Sequence, residues 1–244
     1  MTTPEVAARL AELCAHHRLP SRAYRALSAL LEVLDDDPLA PTAARDPARA
    51  VDVHVADSLA ALELPIVRSA TALADLGAGP GFPGLALAAA LPGARVALVE
   101  SVGRRCAFLE RAVARAELAR VEVACARAES WSAGLGSWPL VTARALAALP
   151  VLVEYAAPLL TLGGSLVAWK GRRDRDEEDA GVTAATRLGL ALAEVKRVHP
   201  HAGAEHRHLY VFAKQSATPP GYPRRPGAAA KRPLAGRSSD RPGR

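Results

Sequence analysis

Apolar positions in the first third of the chain recur every three to four places. Leu10, Leu13 and Leu19, then Leu27, Leu30, Leu31 and Leu34, mark the buried stripe of a helical hairpin over residues 4–34, broken at Pro20. A loop rich in Asp and Pro follows over residues 35–47, and another helix is expected over residues 50–62. From residue 71 the pattern changes to short apolar runs alternating with helical stretches. Strands are expected over 71–76, 94–100, 121–125, 139–142 and 165–169, and helices over 84–91, 104–118 and 147–160. Residues 191–198 and 208–213 read as a closing antiparallel pair. Such alternation predicts an α/β fold: a mostly parallel sheet covered on both faces, with an antiparallel edge strand and an N-terminal helical extension. The expected division is an extension over 1–65 packed on the main domain, that domain over 66–214, and an irregular tail rich in Pro and Gly over 215–244.

Composition changes this picture in two places. Half of the residues are hydrophobic but only 4% are aromatic, so Ala, Leu and Val must build the core. The net charge of +6 is located in the tail: residues 214–244 carry eight Lys or Arg and one acid, Asp240. The first 213 residues are close to neutral. A cationic segment on a near-neutral body points to a polyanionic partner, against the plain alternative of a solubilising tail. The three cysteines, Cys14, Cys106 and Cys125, are widely spaced and suggest neither a disulfide nor a zinc site. No signal-peptide pattern and no membrane-length apolar run occur, so a cytoplasmic protein without membrane contact is expected.

The candidate chemistry starts at Gly77-Ala-Gly79-Pro-Gly81-Phe-Pro-Gly84, between the first strand of the alternating region and a helix. Glycines there permit positive φ and close approach to a ligand. Glu100 ends the next strand, 23 positions after Gly77, near the spacing at which an acid bonds ribose hydroxyls. The spacing fits both a dinucleotide fingerprint and the loop of S-adenosylmethionine-dependent methyltransferases. Pro80 and Pro83 remove two N–H donors, a poor arrangement for a pyrophosphate, and with Asp75 ahead of the loop they favour S-adenosylmethionine.

The segment from Ala74 to Gly84 and Glu100-Ser-Val-Gly-Arg-Arg-Cys-Ala-Phe-Leu109 closely resemble the ribosomal small subunit methyltransferase G family, also called glucose-inhibited division protein B. His54-Val-Ala-Asp-Ser-Leu59, Arg127-Ala-Glu129, Thr142-Ala-Arg-Ala-Leu146, Lys170-Gly171, Arg207-His-Leu209, Tyr222-Pro-Arg-Arg-Pro-Gly227 and Lys231-Arg-Pro-Leu234 extend the resemblance over residues 46–234 in one order. It implies a Rossmann-like class I methyltransferase that uses S-adenosylmethionine to methylate guanine N7 in the 530 loop of 16S rRNA. It further implies that Gly77, Gly79 and Phe82 meet the cofactor, that Glu100 holds its ribose, and that Ala128 and Glu129 flank the adenine. Arg144 is implied at the same site. The chain departs from the pattern with Phe82 in place of the usual Leu, and with Pro38-Leu-Ala-Pro-Thr42 where Asn-Leu-Thr is common.

Guanine N7 has a lone pair and no proton, so the reaction needs positioning rather than a general base. Arg144, at the end of a strand, is the catalytic candidate: a guanidinium able to fork onto guanine O6 and N7, hold the cofactor carboxylate, or meet an RNA phosphate. Arg104, Arg105, Arg224, Arg225, Lys231 and Arg232 are candidate contacts to 16S rRNA, whether free, in an assembly intermediate or in the small subunit. His199, His201, His206 and His208 lack a carboxylate or thiolate partner, and no metal is expected. A monomer is expected. Two other functions stay open at this stage: an NAD(P)-dependent oxidoreductase, and a non-catalytic RNA-binding protein of ribosome assembly.

Overall fold

The computed structural model describes residues 3–234, and the basic residues beyond them lie outside that range. Helices α1 (Pro4–His16) and α2 (Ser21–Asp36) form the hairpin, with the Thr3 hydroxyl capping α1. Next comes one irregular helical run: α3 (Pro47–Ala50), a π-helical turn (Val51–Ala56), α4 (Asp57–Leu59) and a 3-10 turn (Ala60–Glu63). A short α5 (Pro65–Arg68) leads into the sheet. The sheet region runs β1 (Ala72–Leu76), α6 (Gly84–Ala90), β2 (Arg95–Glu100), α7 (Gly103–Arg115), β3 (Val121–Cys125), β4 (Trp138–Arg144), α8 (Leu149–Ala156), β5 (Leu160–Lys170), α9 (Arg175–Arg187), β6 (Leu190–Val198) and β7 (Arg207–Lys214). A single-turn α10 (Ala228–Lys231) closes the described chain.

The strands line up as β3-β2-β1-β4-β5-β7-β6. The first five are parallel, and β7 pairs antiparallel with both β5 and β6, so the antiparallel strand lies one place in from the edge. Side chains alternate across a strand, and that parity divides the core in two. Leu73, Val96, Leu98, Leu140, Val167, Trp169, Leu209 and Val211 face α6, α7 and the N-terminal helices. Ala74, Leu76, Ala97, Val99, Val141, Ala143, Leu166, Ala168, Tyr210 and Phe212 face α8 and α9. Odd and even positions therefore go to opposite layers, which decides below which polar side chains can meet.

Two expectations need correction. The helix expected over 147–160 ends at Ala156, and β5 takes Leu160 through both Gly163 and Gly164. Residues 215–234 carry no regular secondary structure apart from α10, but they are tied to the body of the protein. The Lys214 ammonium donates to the Ala157 carbonyl at 2.5 Å, Tyr222 and Leu234 pack on the α8–α9 layer, and Arg224 donates twice to Glu154. Finally, Cys106 and Cys125 form a disulfide, with Cα atoms 5.8 Å apart and sulfurs 2.25 Å apart. They lie 19 positions apart in sequence, but a parallel crossover returns β3 beside β2 and brings its last residue to the start of α7.

Candidate active site

The glycine loop is wired internally. The N–H groups of Gly77 and Ala78 donate to the Val99 carbonyl, that of Gly81 to Ala78, that of Gly79 to the Glu100 carboxylate, and that of Gly84 to Asp75. Pro80 and Pro83 have no N–H to offer. These amides have acceptors within the protein and form no nest for a pyrophosphate. Gly79 has φ +53°, and the nearest atom a Cβ there would meet, outside its chain neighbours, is the Gly77 carbonyl oxygen at 3.7 Å. That side of the loop is open for a ligand. Gly84 is glycine for the opposite reason: a Cβ would lie 2.4 Å from Leu98 and 2.9 Å from the Asp75 side chain.

Two buried carboxylates hold the loop. Glu100 is 4% exposed and accepts from Ser101 N–H (2.8 Å), Val102 N–H (2.9 Å) and Gly79 N–H (3.1 Å), with the Arg105 guanidinium 3.7 Å away. An acceptor-only group at the end of β2, beside the open face of Gly79, matches the hydroxyl donors of a ribose. Asp75 accepts from the Thr142 hydroxyl (2.8 Å) and Gly84 N–H (3.0 Å), and burial raises its pKa to about 6.

The parity of β1, β4, β5 and β7 puts Asp75, Thr142, Arg144, Trp169 and Arg207 on the face covered by the N-terminal helices. The run over residues 47–63 brings Asp57 into this layer, fully buried. One Asp57 oxygen accepts from Arg144 (2.9 Å), the other from Arg207 (2.7 Å), and its carbonyl accepts from the Trp169 indole (2.9 Å). Arg144 also donates to the Val53 carbonyl (2.9 Å) and pairs with His54 Nδ1 (3.2 Å). A guanidinium can only donate, so His54 Nδ1 is the acceptor and Nε2–H points to the Thr42 hydroxyl at 2.9 Å. Burial, then the Arg144 charge, lowers the His54 pKa to about 4, so the ring is neutral at pH 7. The ring also stacks on Phe82 of the glycine loop, with centroids 5.0 Å apart. Three of the five Arg144 N–H groups are thus engaged, leaving two without a partner among the described residues.

A family model described as rRNA small subunit methyltransferase G matches residues 38–210. The chain belongs to this family. Ribosomal RNA small subunit methyltransferase G of Desulfitobacterium hafniense (strain Y51) is 40% identical over 196 residues, which are 79% of this chain and 81% of that protein. The Rubrobacter xylanophilus protein of the same name is 42% identical over 198 residues, 79% of this chain and 76% of that one. Among solved structures, a predicted O-methyltransferase from Agrobacterium tumefaciens is 28% identical with a TM-score of 0.51, covering 66% of this chain and 81% of its own. The class I methyltransferase fold and S-adenosylmethionine as methyl donor follow, and the nicotinamide and non-catalytic alternatives fall away. The internally satisfied loop amides agree with a donor that has no phosphate.

In this methyltransferase G chain the expected site residues fall into two groups. Gly77, Gly79, Phe82, Glu100 and Arg144 come together at the carboxyl ends of β1, β2 and β4. Phe82 is only 3% exposed and supports the loop from beneath, against His54. Ala128 and Glu129 form a 3-10 turn after β3, and Glu129 accepts from Gly227 N–H of the tail at 2.9 Å. Arg104 and Arg105 open α7 and are at the surface or partly so, and Arg225, Lys231 and Arg232 are exposed. Arg224 is different. Its guanidinium is bound to the buried Glu154 and to the Arg232 carbonyl, so its first role is to fix the tail. Among the described residues no group of three or more His, Cys, Asp or Glu side chains could hold a metal, and no helix is long and apolar enough to cross a membrane.

Sequence reasoning missed His54, Asp57 and Arg207 as site residues. Their segments carried part of the family resemblance, and the spacing of His54 and Asp57 on one helix face was visible. What was not visible is that this face meets β4 and β7, 87 and 150 residues away.

Proposed function

We propose that this protein methylates N7 of a guanine in the 530 loop of 16S rRNA, in the cytoplasm. Gly79 and Glu100 would hold S-adenosylmethionine, Glu100 through its ribose hydroxyls, and the bound cofactor would supply an electrophilic sulfonium methyl. Gly77, Phe82, Ala128 and Glu129 complete its pocket. The observation that carries the reading is the electrostatic state of the site. Both Asp57 oxygens are engaged by arginines, Asp75 is buried and bonded, and His54 presents its only lone pair to Arg144. Asp57, Asp75 and His54, the acceptors grouped around Arg144 and Thr142, are thus all hydrogen-bonded already. That arrangement suits a nucleophile which brings its own lone pair and loses no proton on attack. The two uncommitted N–H groups of Arg144 orient the acceptor base or the donor carboxylate, and Asp57 and His54 fix the direction of that fork. Arg104, Arg105, Arg225, Lys231 and Arg232 serve the RNA backbone, whereas Arg224 acts from inside the tail.

Mass spectrometry of small-subunit rRNA nucleosides tests this. A deletion strain should lack one 7-methylguanosine, restored by the wild-type gene but not by Arg144→Ala or Arg144→Lys, each checked for normal folding and S-adenosylhomocysteine binding. An unchanged 7-methylguanosine content in the deletion strain would overturn the reading.

A further inference from the structure

The far end of the sheet carries a feature with no part in methyl transfer. Between α2 and the loop joining α7 to β3 lies an open trough of about 460 Å³. Arg22 and Arg25 stand on one wall, three positions apart and so on one face of α2, and Arg115 and Arg120 stand on the other. The floor is mostly alanine, including Ala26, Ala89 and Ala116, with Pro92, Leu118 and Val121 beside them. Arg115 bonds Glu32 at 3.2 Å, but Arg22, Arg25 and Arg120 have no ion pair or side-chain hydrogen bond among the described residues, and the lone carboxylate lining the trough is Glu117. Other surface arginines are paired with acids, among them Arg111 with Asp37 and Arg173 with Glu178. Arg18, Arg175, Arg187 and Arg225 are exposed without an ion pair among the described residues. What sets the trough apart is that its unpaired guanidinium groups share one cleft. Concentrating unpaired guanidinium groups around a cleft raises the local potential and costs self-repulsion unless an anion relieves it.

We infer that this trough is a second anchor for the phosphate backbone of the RNA substrate, on the side of the molecule away from the reacting base. The inference rests on the rRNA reading above and adds a surface to it. Three features select a nucleic-acid backbone. The small side chains of the floor let a bulky chain approach, the arginines on facing walls can each fork onto a phosphate, and no buried polar side chain lines the trough to read a base. Arg120 precedes the first residue of β3, and the cofactor loop lies beyond the last residue of β2. The length of β2 alone separates trough and loop by about 17 Å. An RNA reaching both would run across the surface of the protein rather than only enter its mouth.

The test is salt-dependent binding of purified small subunits lacking the modification. The triple variant R22E/R25E/R120E should bind on the order of tenfold or more weakly near 0.1 M salt, and its log K against log salt slope should flatten by roughly two to three. Its S-adenosylhomocysteine affinity and thermal midpoint should match wild type. A charge-matched control, R18E/R175E/R187E, alters three exposed arginines outside the trough and should keep most of the affinity. Wild-type affinity and slope in the trough variant would overturn the inference. So would an equal loss in the control, which would reduce the effect to net charge, or a loss independent of salt, which would assign the trough to a protein. Wild-type protein that binds subunits but methylates no guanine would instead overturn the rRNA methyl-transfer reading, while the slope comparison still decides the trough.

Discussion

Arginines in the interior and at the rim of this protein are held under opposite conditions. Arg144, Arg207 and Arg224 each face a carboxylate that is 1% exposed or less: Asp57 for the first two, Glu154 for the third. Arg22, Arg25, Arg120 and Arg225 are exposed with no acid against them among the described residues. Removing a charge from water is tolerated only when a partner and hydrogen bonds replace the water. The fold therefore supplies a buried acid to each of these three guanidinium groups, whereas exposed arginines are either paired with a surface acid, as Arg111 is with Asp37, or left without one. One residue type does two jobs, and position in the sheet decides which. A guanidinium bound to a buried carboxylate fixes the structure around it, and on the reading proposed above an unpaired exposed one is available to a polyanion.

The sharpest way to break that contrast is to remove the buried acid that Arg144 and Arg207 share. Asp57→Ala leaves Arg144 and Arg207 without their carboxylate and the Trp169 indole with a displaced carbonyl. A loss of about 3–5 kcal/mol is expected on thermal or denaturant unfolding, together with loss of methylation. Asp57→Asn keeps one acceptor and should lose less stability, but it cannot serve both arginines and should still methylate poorly. If Asp57→Ala melted like wild type, the pairing would be incidental to the fold.

The reason Asp57 escaped sequence reasoning is physical. The glycine loop, Glu100 and Arg144 are local features: each sits where a strand ends, and strand ends are marked by apolar runs giving way to Gly, Glu or Arg. Strand parity even tells which of Asp75, Thr142 and Arg144 share a face. Nothing local tells which helix covers that face, because packing between elements 87 or 150 residues apart is set by the sum of the core and not by any one motif. The same limit applies to the tail. Pro and Gly between residues 219 and 227 look like disorder, yet Lys214, Arg224 and Gly227 tie this segment to Ala157, Glu154 and Glu129. Cys106 and Cys125 are again a pair that only the crossover creates. The layer order of the sheet was legible from periodicity, while the ties between layers were not.

A smaller effect comes from the neutral histidine inside the charged cluster. His54 has a pKa of about 4 in the fold against 6.5 for a free imidazole, so between those values the unfolded chain binds the extra proton. Its stabilising contribution is complete above pH 6.5 and is lost as pH falls toward 4, up to roughly 3 kcal/mol. His17, lowered to about 4 by burial and then by His16 and Arg68, adds a loss of the same sign. Asp75 acts in the opposite direction. Its pKa is raised to about 6, so its contribution is greatest below its ordinary value of 3.8 and is lost as pH rises through 6. Two histidines against one carboxyl give a net fall in stability from pH 6.5 to 4. His54→Gln should be less stable at pH 7 but show a shallower decline, read as the slope of unfolding free energy against pH. An unchanged slope would mean that the ring titrates normally and does not hold Arg144 in its neutral form.

The smallest effect on stability is expected where cations are unpaired, and the tail allows the comparison between neighbours. Arg224 and Arg225 are adjacent, but the first is bound to buried Glu154 and the second is exposed with no acid. Replacing Arg225, Lys231 and Arg232 together by Gln removes three charges and no internal bond made by their side chains. The thermal midpoint should move by about 2 °C at most. Subunit binding should nevertheless weaken, with a salt slope lower by roughly two to three. Arg224→Gln alone removes one charge and leaves the Glu154 carboxylate buried without its cation. It should lower the midpoint by more than the triple variant and should flatten the slope by one at most. If the single change flattened the slope as strongly as the triple, Arg224 would be an RNA contact first and a structural tie second. Burial of the partner acid would then be a poor guide to what an arginine does.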